Sequence, residues 1–489
     1  MPPEPEGAAL LVDFGSTFTK LLLVRLPSGA VLARASHPTT VGEGVTVGLQ
    51  AGLAALATAA GPGGERLVAA ARPRLACSSA AGGLRMVAIG LVRDLTTAAA
   101  TRAALGAGAR LLATYCHRLG EAEVAEVGQR RPDVVLLTGG TDGGDRQTLL
   151  HNAAALAGLS PAELGAVVVA GNKEVTPEAV ATLRRAGHDA RGAPNVLPEL
   201  GRLAVEPAQE AIRRLFLERI VQSKGLDQVQ GWLDGVVMPT PAAALQGAEL
   251  LADGPRGAGA TDVGQAAGMG DLVVVDVGGA TTDVHSVGEG RPRRPDVYYR
   301  GLPEPRAKRT VEGDLGLRES ALSLWSALTG DTSGLTLDLT LPTADRDEVM
   351  ARLQAYAEHT AQLPSDDLGR ALDALLARGA VALALTRHAG TLEAVSTPAG
   401  SFWVQQGKDL SQTRSLIASG GIFHSGPQPR SILQTALRAA AAAAATRLVP
   451  RRPGLYVDRE YVLWAAGLLA THHPVAAWHL ARGSIEGRK

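Results

Sequence analysis

Two short segments, far apart in the chain, each place an aspartate at the end of an apolar run and follow it with glycine and hydroxyl residues. They are DFGSTFTK at residues 13–20 and DVGGATTD at residues 276–283. Glycine lets the backbone approach a phosphate without a Cβ clash, and a tight turn can direct several N–H groups at one point. Either segment alone is compatible with an ordinary hairpin turn. The repeat of the same design favours two halves of a nucleotide site.

The side chains in these segments suit phosphate and magnesium chemistry. Hydroxyl groups can donate to phosphate oxygens, and the candidates are Ser16, Thr17, Thr281 and Thr282. A carboxylate can hold Mg²⁺ through water, because this cation gives up its hydration shell reluctantly. The candidate carboxylates for Mg²⁺ are Asp13 and Asp276.

The composition limits the classes of protein and partner. A chain of 489 residues predicts two or more domains. Lys and Arg together number 48, as do Asp and Glu, so no net field favours nucleic acid or an anionic membrane. Two cysteines are too few for a disulfide scaffold, and the histidines lack the spacing of a zinc site. With no signal peptide or apolar membrane span in the pattern, we expect a cytoplasmic protein.

The elements that must position these residues alternate between strand and helix. A hairpin follows the first apolar run, and residues 132–201 repeat a strand–helix rhythm that predicts a parallel sheet. The pattern predicts an α/β fold. The predicted divisions are a first core segment at 1–131, an inserted βαβ subdomain at 132–205, the rest of the core at 206–475 and a tail at 476–489. The tail contains Ile-Glu-Gly-Arg, which resembles a protease-cleavage linker.

Both aspartate segments resemble the phosphate loops of the superfamily of actin, Hsp70 and sugar kinases. The resemblance implies a two-lobed, ribonuclease H-like ATPase fold that binds ATP and Mg²⁺. It assigns to the first loop Asp13, Gly15, Ser16, Thr17 and Lys20, and to the second loop Asp276, Gly278, Gly279, Thr281, Thr282 and Asp283. Ala280 departs from the pattern, because a third glycine is usual there, so we expect a different backbone at that position.

Other segments resemble further parts of the superfamily core in the same order. VVMPTPAAALQGAE and YVLWAAGLLA resemble the two connecting helices, which must cross closely near Gly467. SLIASGGIF resembles the adenosine loop, which implies nucleotide binding by Ser419, Gly420 and Gly421. RTVEGDLGLRES resembles the segment that returns to the cleft, which makes Glu312 and Asp314 candidates near the γ-phosphate. A capped helix start is the alternative for these two acids.

LTGGTDGG at residues 137–144 also looks like a nucleotide loop, but it precedes the second phosphate loop, whereas the adenosine loop should follow it. It is therefore either a turn between strand and helix in the inserted subdomain or a second functional loop.

The motifs taken together resemble the glutamate mutase accessory family, from about residue 8 to residue 475. The family implies a slow ATPase that reactivates or assembles an adenosylcobalamin-dependent mutase, in the manner of a chaperone. Asp276 or Glu312 would orient the attacking water, and Asp13 would complete the catalytic set. A dimer, a small partner subunit and the identity of the mutase stay open. The alternatives are a small-molecule kinase of the same fold and an actin-like scaffold protein.

Overall fold

The computed structural model describes most of the chain, and it separates into two compact units. Unit 1 comprises Met1–Ser79 and Lys224–Lys489, and unit 2 comprises Ala80–Ser223. The described residues are 7–15, 18–39, 45–78, 84–106, 109–224, 229, 231–235, 237–255, 267–330, 335, 337–338, 341, 345–360, 362–398, 400–426, 428–443 and 446–486.

The described strands form four sheets. In chain order they are β1 (Ala8–Phe14), β2 (Phe18–Arg25), β3 (Val31–Pro38), β4 (Arg74–Ser78), β5 (Leu84–Gly90), β6 (Ala109–Cys116), β7 (Val134–Leu137), β8 (Ala166–Val169), β9 (Ala190–Gly192), β10 (Met238–Pro239), β11 (Leu272–Val277), β12 (Thr282–Val287), β13 (Val297–Arg300), β14 (Ala307–Glu312), β15 (Thr391–Thr397), β16 (Gly400–Gln406), β17 (Ser415–Ser419) and β18 (Gly454–Val457).

The described α-helices lie between these strands or follow the last of them, and no described helix is long and apolar enough to cross a membrane. They are α1 (Val45–Ala59), α2 (Gly64–Ala70), α3 (Ala98–Gly106), α4 (Glu121–Arg130), α5 (Gln147–Leu156), α6 (Pro161–Leu164), α7 (Thr176–Arg185), α8 (Glu206–Lys224), α9 (Thr240–Asp253), α10 (Ala321–Thr329), α11 (Arg346–Glu358), α12 (Asp367–His388), α13 (Gly421–Ser425), α14 (Pro429–Ala443), α15 (Leu463–Ala470) and α16 (Pro474–Glu486).

Unit 1 contains the same five-stranded sheet twice. The first sheet has the order β3-β2-β1-β4-β10, and the second has the order β14-β12-β11-β17-β18. In each, three antiparallel strands come first, and the remaining two run parallel to the strand that carries the aspartate. This duplication is the one expected of the ribonuclease H-like ATPase fold of actin, Hsp70 and sugar kinases. The predicted α/β fold is confirmed.

The two central strands are buried on both faces, which explains their unbroken apolar sequences. Leu10, Leu11, Val273 and Val274 are all fully buried. Helices cover both faces, so each strand loses the alternation of a half-exposed strand and is β-branched or leucine-rich throughout. Each aspartate is the penultimate residue of its strand, so it interrupts the apolar run close to the strand's carboxyl end.

The two predicted connecting helices are α9 and α15, and they pack directly on each other. A Cβ on Gly467 of α15 would lie 1.8 Å from the carbonyl oxygen of Ala243 in α9. A Cβ on Gly247 would lie 2.4 Å from the carbonyl oxygen of Leu463. Glycine at both positions lets the helix backbones touch, which confirms the predicted close crossing.

Unit 2 is a parallel α/β unit. Its sheet has the order β6-β5-β7-β8-β9, and every neighbouring pair is parallel. The predicted parallel sheet is confirmed. The predicted subdomain at 132–205 lies inside this unit, but the boundary moves to Ala80 because β5 and β6 pair in the same sheet before residue 132.

The C-terminal segment predicted as a tail needs a correction. Residues 476–486 belong to α16, and Trp478 and Ile485 are buried in the core that also contains α9 and α15. The Ile-Glu pair of the supposed linker is therefore part of a packed helix, whereas residues 487–489 lie outside the described residues.

The second sheet contains a buried histidine whose charge state makes stability depend on pH. His285 is fully buried, and within the described part of the chain neither ring nitrogen has a hydrogen-bond partner. Burial lowers the pKa of His285 from 6.5 to about 4. Between these values the unfolded chain binds a proton that the folded chain does not, so the free energy of unfolding falls as the pH falls through this range.

We predict that His285→Leu removes part of this acid sensitivity. Between pH 6.5 and 4.5 the variant should lose about 1–2 kcal/mol less stability than the parent protein. Urea unfolding followed by tryptophan fluorescence measures it, because all five tryptophans lie in unit 1. The exposed His359 supplies a matched His→Leu control. Equal slopes for parent and His285→Leu would contradict the prediction.

Candidate nucleotide site

The two glycine segments close in the same way. The N–H of Gly15 donates to the carbonyl of Phe18 (3.1 Å), and the N–H of Gly278 donates to the carbonyl of Thr281 (2.9 Å). A Cβ on Gly15 would lie 2.4 Å from the oxygen of Phe18, so this turn requires glycine. Each turn begins two residues after its aspartate, at the carboxyl end of the central strand of its sheet.

The sequence made predictions for Ser16 and Thr17 in the first turn and for Ala280 in the second. Ser16 and Thr17 lie outside the described residues. Ala280 is accommodated because none of residues 278–281 has a positive φ. The missing third glycine therefore introduces no backbone strain into the second turn.

Asp13 is a buried carboxylate held by donors from three elements. Thr240, at the start of α9, donates its hydroxyl to Oδ1 (2.7 Å), and the Sγ of Cys77 in β4 lies 3.5 Å from the same oxygen. Lys20 of β2 donates to Oδ2 (3.3 Å), since the register of β1 and β2 places the two residues opposite each other. Burial and the neighbouring Asp13 raise the pKa of Cys77, so the thiol stays protonated and can donate.

The Lys20 ammonium is surrounded by groups that favour its charge. Its Nζ lies 4.3 Å from the centre of the Tyr461 ring, in addition to its contact with Asp13. Burial opposes the charged form, but Tyr461, Asp13 and Asp276 more than offset this and raise the pKa of Lys20. Lys20 is therefore a permanent cation beside the carboxyl end of β1, as its predicted phosphate-binding role requires.

Asp276 is the carboxyl group with the most perturbed environment. It lies opposite Asp283 in the pairing of β11 with β12, and its Oδ1 is buried without a hydrogen-bond partner among the described residues. Burial and the nearby carboxylates of Asp283, Asp458 and Asp13 raise the pKa of Asp276 to about 7, although Lys20 acts in the opposite direction. Such a group can exchange a proton near neutral pH.

The predicted adenosine loop begins where β17 ends, beside the second turn. Ser419 is paired with Asp276 in the register, and its buried hydroxyl donates to Oδ2 of Asp458 (3.2 Å). Gly420 has a φ of 111°, and a Cβ there would lie 2.2 Å from the carbonyl oxygen of Val277. A Cβ on Gly421 would meet no atom within 4 Å. The loop therefore lies against the second turn and presents an unobstructed face at Gly421.

Asp458 ends the last strand and fixes the start of the second connecting helix. Its carboxylate accepts from the N–H groups of Val462 (3.1 Å) and Leu463 (3.1 Å). The second connecting helix therefore begins at Leu463, two residues into the YVLWAAGLLA segment, because these bonds and the positive φ of Tyr461 keep the preceding residues out of the helix.

The two threonines of the second turn have different surroundings. Thr281 is only partly buried, and its hydroxyl donates to Oδ2 of Asp283 (3.3 Å). Thr282 is fully buried, and its hydroxyl donates to the carbonyl of Leu315 (2.6 Å). Because side chains alternate along a strand, Thr282 faces away from its neighbours. Of the two, the Thr281 hydroxyl is therefore better placed for the predicted phosphate contact, because the Thr282 hydroxyl is already bonded inside the core.

The RTVEGDLGLRES segment supports the second turn from behind. The N–H groups of Leu317 and Arg318 donate to the carbonyls of Gly278 (3.1 Å) and Gly279 (2.8 Å). The Arg318 guanidinium forms a buried bidentate pair with Asp373, with distances of 2.9 and 2.7 Å. The carbonyl side of the turn is thereby tied to the core around α12.

Glu312 and Asp314 share a partner that the motif did not indicate. Arg387 lies at the end of α12. Its Nη1 donates hydrogen bonds to the carboxylates of Glu312 (2.8 Å) and Asp314 (2.9 Å). Burial raises the pKa of Glu312, while Arg387 opposes that shift. In the pairing of β12 with β14, Glu312 lies opposite Thr282. Asp283, the next residue of β12, lies opposite Asp276. The sheet therefore brings Asp276, not Glu312, beside Asp283.

The carboxylates at the strand ends fit a magnesium ion held through water. Asp276 has an oxygen without a donor, and oxygen is the ligand that Mg²⁺ prefers. Asp13 already accepts hydrogen bonds from Thr240 and Lys20, so it would interact with Mg²⁺ through the water shell of the ion. Across the described ranges, no group of three or more His, Cys, Asp or Glu side chains forms a metal cage.

The LTGGTDGG segment lies in unit 2 and is the turn from β7 to α5. Asn195 donates to the carbonyl of Gly140 (3.0 Å) and to Asp142 (2.9 Å). Lys173 lies 3.5 Å from the Asp142 carboxylate. These contacts hold the loop at the carboxyl end of the parallel sheet, as the first of the two interpretations requires.

The most important residues that the motifs did not identify are Thr240, Asp458 and Tyr461. Thr240 belongs to the MPTP motif, and its position at the start of a helix beside an aspartate could have indicated a contact. Tyr461 begins the YVLWAAGLLA segment, but that motif indicated a helix and not a residue of the site. Asp458 follows a strand of only four residues, and no local pattern separates it from a surface loop.

Comparison with known proteins identifies the family. The family model described as MutL protein matches residues 9–485. Protein MutL of Clostridium tetanomorphum is 44% identical over 470 residues, which cover 96% of each chain. Among solved structures, the activator of the 2-hydroxyisocaproyl-CoA dehydratase from Clostridium difficile, with bound ADPNP, is 10% identical over 96% of this chain and 95% of that chain, with a TM-score of 0.26. Xylulose kinase from Bifidobacterium adolescentis is 12% identical over 99% and 96%, with a TM-score of 0.32.

The fold of unit 1 is defined by its duplicated strand order. The family assignment depends on the sequence match, which extends over nearly the whole chain. The chain belongs to the MutL protein family, the glutamate mutase accessory family that its motifs indicate.

Proposed function

We propose that this protein binds and hydrolyses ATP with Mg²⁺ and serves as an accessory protein of an adenosylcobalamin-dependent mutase. The observation that supports the nucleotide site most strongly is the duplicated arrangement of Asp13 and Asp276. Each is the penultimate residue of the central strand of an equivalent sheet, each precedes a glycine turn closed by the same hydrogen bond, and Lys20 interacts with both.

Hydrolysis at this site would be electrostatic and positional. Bound Mg²⁺ would neutralise charge on the phosphate oxygens. Lys20 and the N–H groups of the two turns would bind the phosphates, and the Gly421 face would receive the nucleoside. Asp276 is the better candidate for orienting water, because its Oδ1 has no other donor, whereas Arg387 already engages Glu312.

The accessory role requires two conformations that differ in affinity for the mutase, with ATP and ADP favouring different ones. The crossing of α9 and α15 at Gly247 and Gly467 would serve as the hinge, because it joins the two sheets through a small backbone contact. Opening of the mutase would let a damaged cobalamin exchange for intact adenosylcobalamin. The mutase would be of the glutamate mutase or aminomutase type.

ATP turnover without any acceptor tests the nucleotide function. We expect slow hydrolysis that stops when EDTA removes Mg²⁺. Thr281→Ala should lower the rate about 10-fold, because it removes a hydroxyl at the turn. Thr282→Val is the matched control, since its hydroxyl is bonded to Leu315, and it should keep the rate. Turnover only with an added small molecule would support a kinase, and nucleotide-dependent sedimentation would support a scaffold protein.

A reactivation assay tests the accessory role. Glutamate mutase loaded with cyanocobalamin would be incubated with this protein, ATP, Mg²⁺ and adenosylcobalamin, and the recovery of mutase activity measured. Recovery that requires ATP supports the proposal. ATP hydrolysis without recovery of glutamate mutase or of an aminomutase would contradict the accessory role while leaving the ATPase intact.

A further inference from the structure

Tyr461 has a backbone conformation that is rare for an aromatic residue. Its φ is 51°, in the left-handed region, where the Cβ of an L-residue crowds the following carbonyl. Such a conformation persists only where the surroundings fix it, and it is most frequent at functional sites. The position of this ring at the predicted nucleotide site therefore needs an explanation.

The surrounding chain fixes Tyr461 from several directions. Its N–H donates to the carbonyl of Asp458 (3.2 Å), and its own carbonyl accepts from Nε1 of Trp464 (3.0 Å). The adjacent Glu460 forms an ion pair with Arg34 of β3, and its N–H donates to Oγ of Ser484 (2.9 Å). The loop is thus tied to α15, to α16 and to the first sheet.

This conformation accompanies a contact between the Tyr461 ring and the Lys20 ammonium. The Nζ of Lys20 lies 4.3 Å from the ring centre, within the range of a cation–π interaction. Asp13 holds the same ammonium from another side, at 3.3 Å. The side chain of Lys20 is 30% exposed, so a long flexible lysine is restrained by the two contacts and still reachable by a ligand. The Asp276 carboxyl group also interacts electrostatically with both Lys20 and Tyr461.

We propose that Tyr461 is a positioning residue, whose ring holds the Lys20 ammonium in place to bind a nucleotide phosphate. The inference rests on the proposed nucleotide function and adds a residue that lies outside every motif of the two phosphate loops. The left-handed backbone is what places the ring beneath the ammonium. A lysine restrained in this way loses less rotamer freedom when a phosphate binds.

The test is a double-mutant cycle on nucleotide affinity. Binding of ADP with Mg²⁺ is measured by calorimetry for the parent protein, Tyr461→Leu, Lys20→Met and the double variant. Tyr461→Leu should weaken binding about 10-fold, as the loss of one cation–π contact predicts. In the Lys20→Met background the same substitution should have almost no effect, because the ring would act only through the lysine.

Two further variants separate positioning from folding. Tyr461→Phe keeps the ring and should bind ADP within about 3-fold of the parent protein. Tyr461→Asn lacks the ring but tolerates the left-handed conformation, so it should fold well and bind as weakly as Tyr461→Leu. Wild-type affinity in Tyr461→Leu and Tyr461→Asn, or an equal loss in the Lys20→Met background, would overturn the proposal.

Failure of the underlying function would look different. If the parent protein itself does not bind ADP with Mg²⁺, the proposed nucleotide site is wrong, and the role of Tyr461 falls with it. If the parent protein binds and Lys20→Met binds equally well, Lys20 is not a phosphate residue, and only the positioning inference is overturned.

Discussion

Asp276→Asn is expected to lower the rate of ATP hydrolysis at least about 100-fold, the usual cost of removing a charged group that acts on the transition state. The same substitution should keep or increase the free energy of unfolding. Asp276 lies opposite Asp283, and one of its oxygens is buried without a donor. Asparagine has the same shape but no charge, so the repulsion from neighbouring carboxylates disappears.

The dependence of stability on pH checks the physical reason. The pKa of Asp276 is raised from 3.8 to about 7, so between these values the folded chain keeps a proton that the unfolded chain loses. The free energy of unfolding of the nucleotide-free protein should therefore fall as the pH rises through this window. Asp276→Asn should remove that slope. Tryptophan fluorescence reports it, because all five tryptophans lie in unit 1.

Asp13→Asn is the matched comparison. It should also suppress hydrolysis, but it should destabilise unit 1, because Asp13 accepts hydrogen bonds from Thr240 and Lys20. An asparagine leaves the Lys20 ammonium without its ion-pair partner in a partly buried position. Two similar substitutions would thus have the same effect on activity and opposite effects on stability. Wild-type hydrolysis in both variants would remove the proposed site.

The strand-end aspartates and the glycine turns could be predicted from sequence because each depends on a few adjacent residues. An apolar run buried on both faces, a carboxylate and a glycine turn form one local pattern, and its repetition indicated both halves of the candidate site. The fold followed from the same repetition, since the strand order around Asp13 is the strand order around Asp276.

What could not be predicted depends on distance in the chain or on the phase of a strand. Arg387 binds Glu312 from 75 residues away, and Thr240 reaches Asp13 across 227 residues, so no local pattern links either pair. Which of the Thr281 and Thr282 hydroxyls lies at the turn depends on the alternation of side chains along the strand. A shift of one residue moves a hydroxyl from the turn into the core. Tyr461 could not be predicted either, because its left-handed φ is set by residues that pack around it only in the folded chain.

The crossing of the connecting helices gives the second large effect. Gly467→Ala should lower the free energy of unfolding of unit 1 by about 3 kcal/mol or more, the upper part of the range for overpacking, because the backbone of α9 cannot yield as a side chain could. The added methyl would lie 1.8 Å from the carbonyl oxygen of Ala243. Urea unfolding followed by tryptophan fluorescence measures the loss.

Gly483→Ala is the control that reverses the sign. Gly483 lies in α16, and a Cβ there would meet no atom within 4 Å, so alanine adds helix propensity without a clash. We expect it to stabilise unit 1 by up to about 1 kcal/mol. The same chemical change thus separates helix propensity from the close crossing. If Gly467→Ala were as harmless as Gly483→Ala, the two helices would not touch at their backbones, and the hinge proposed for the ATP-driven movement would lose its structural basis.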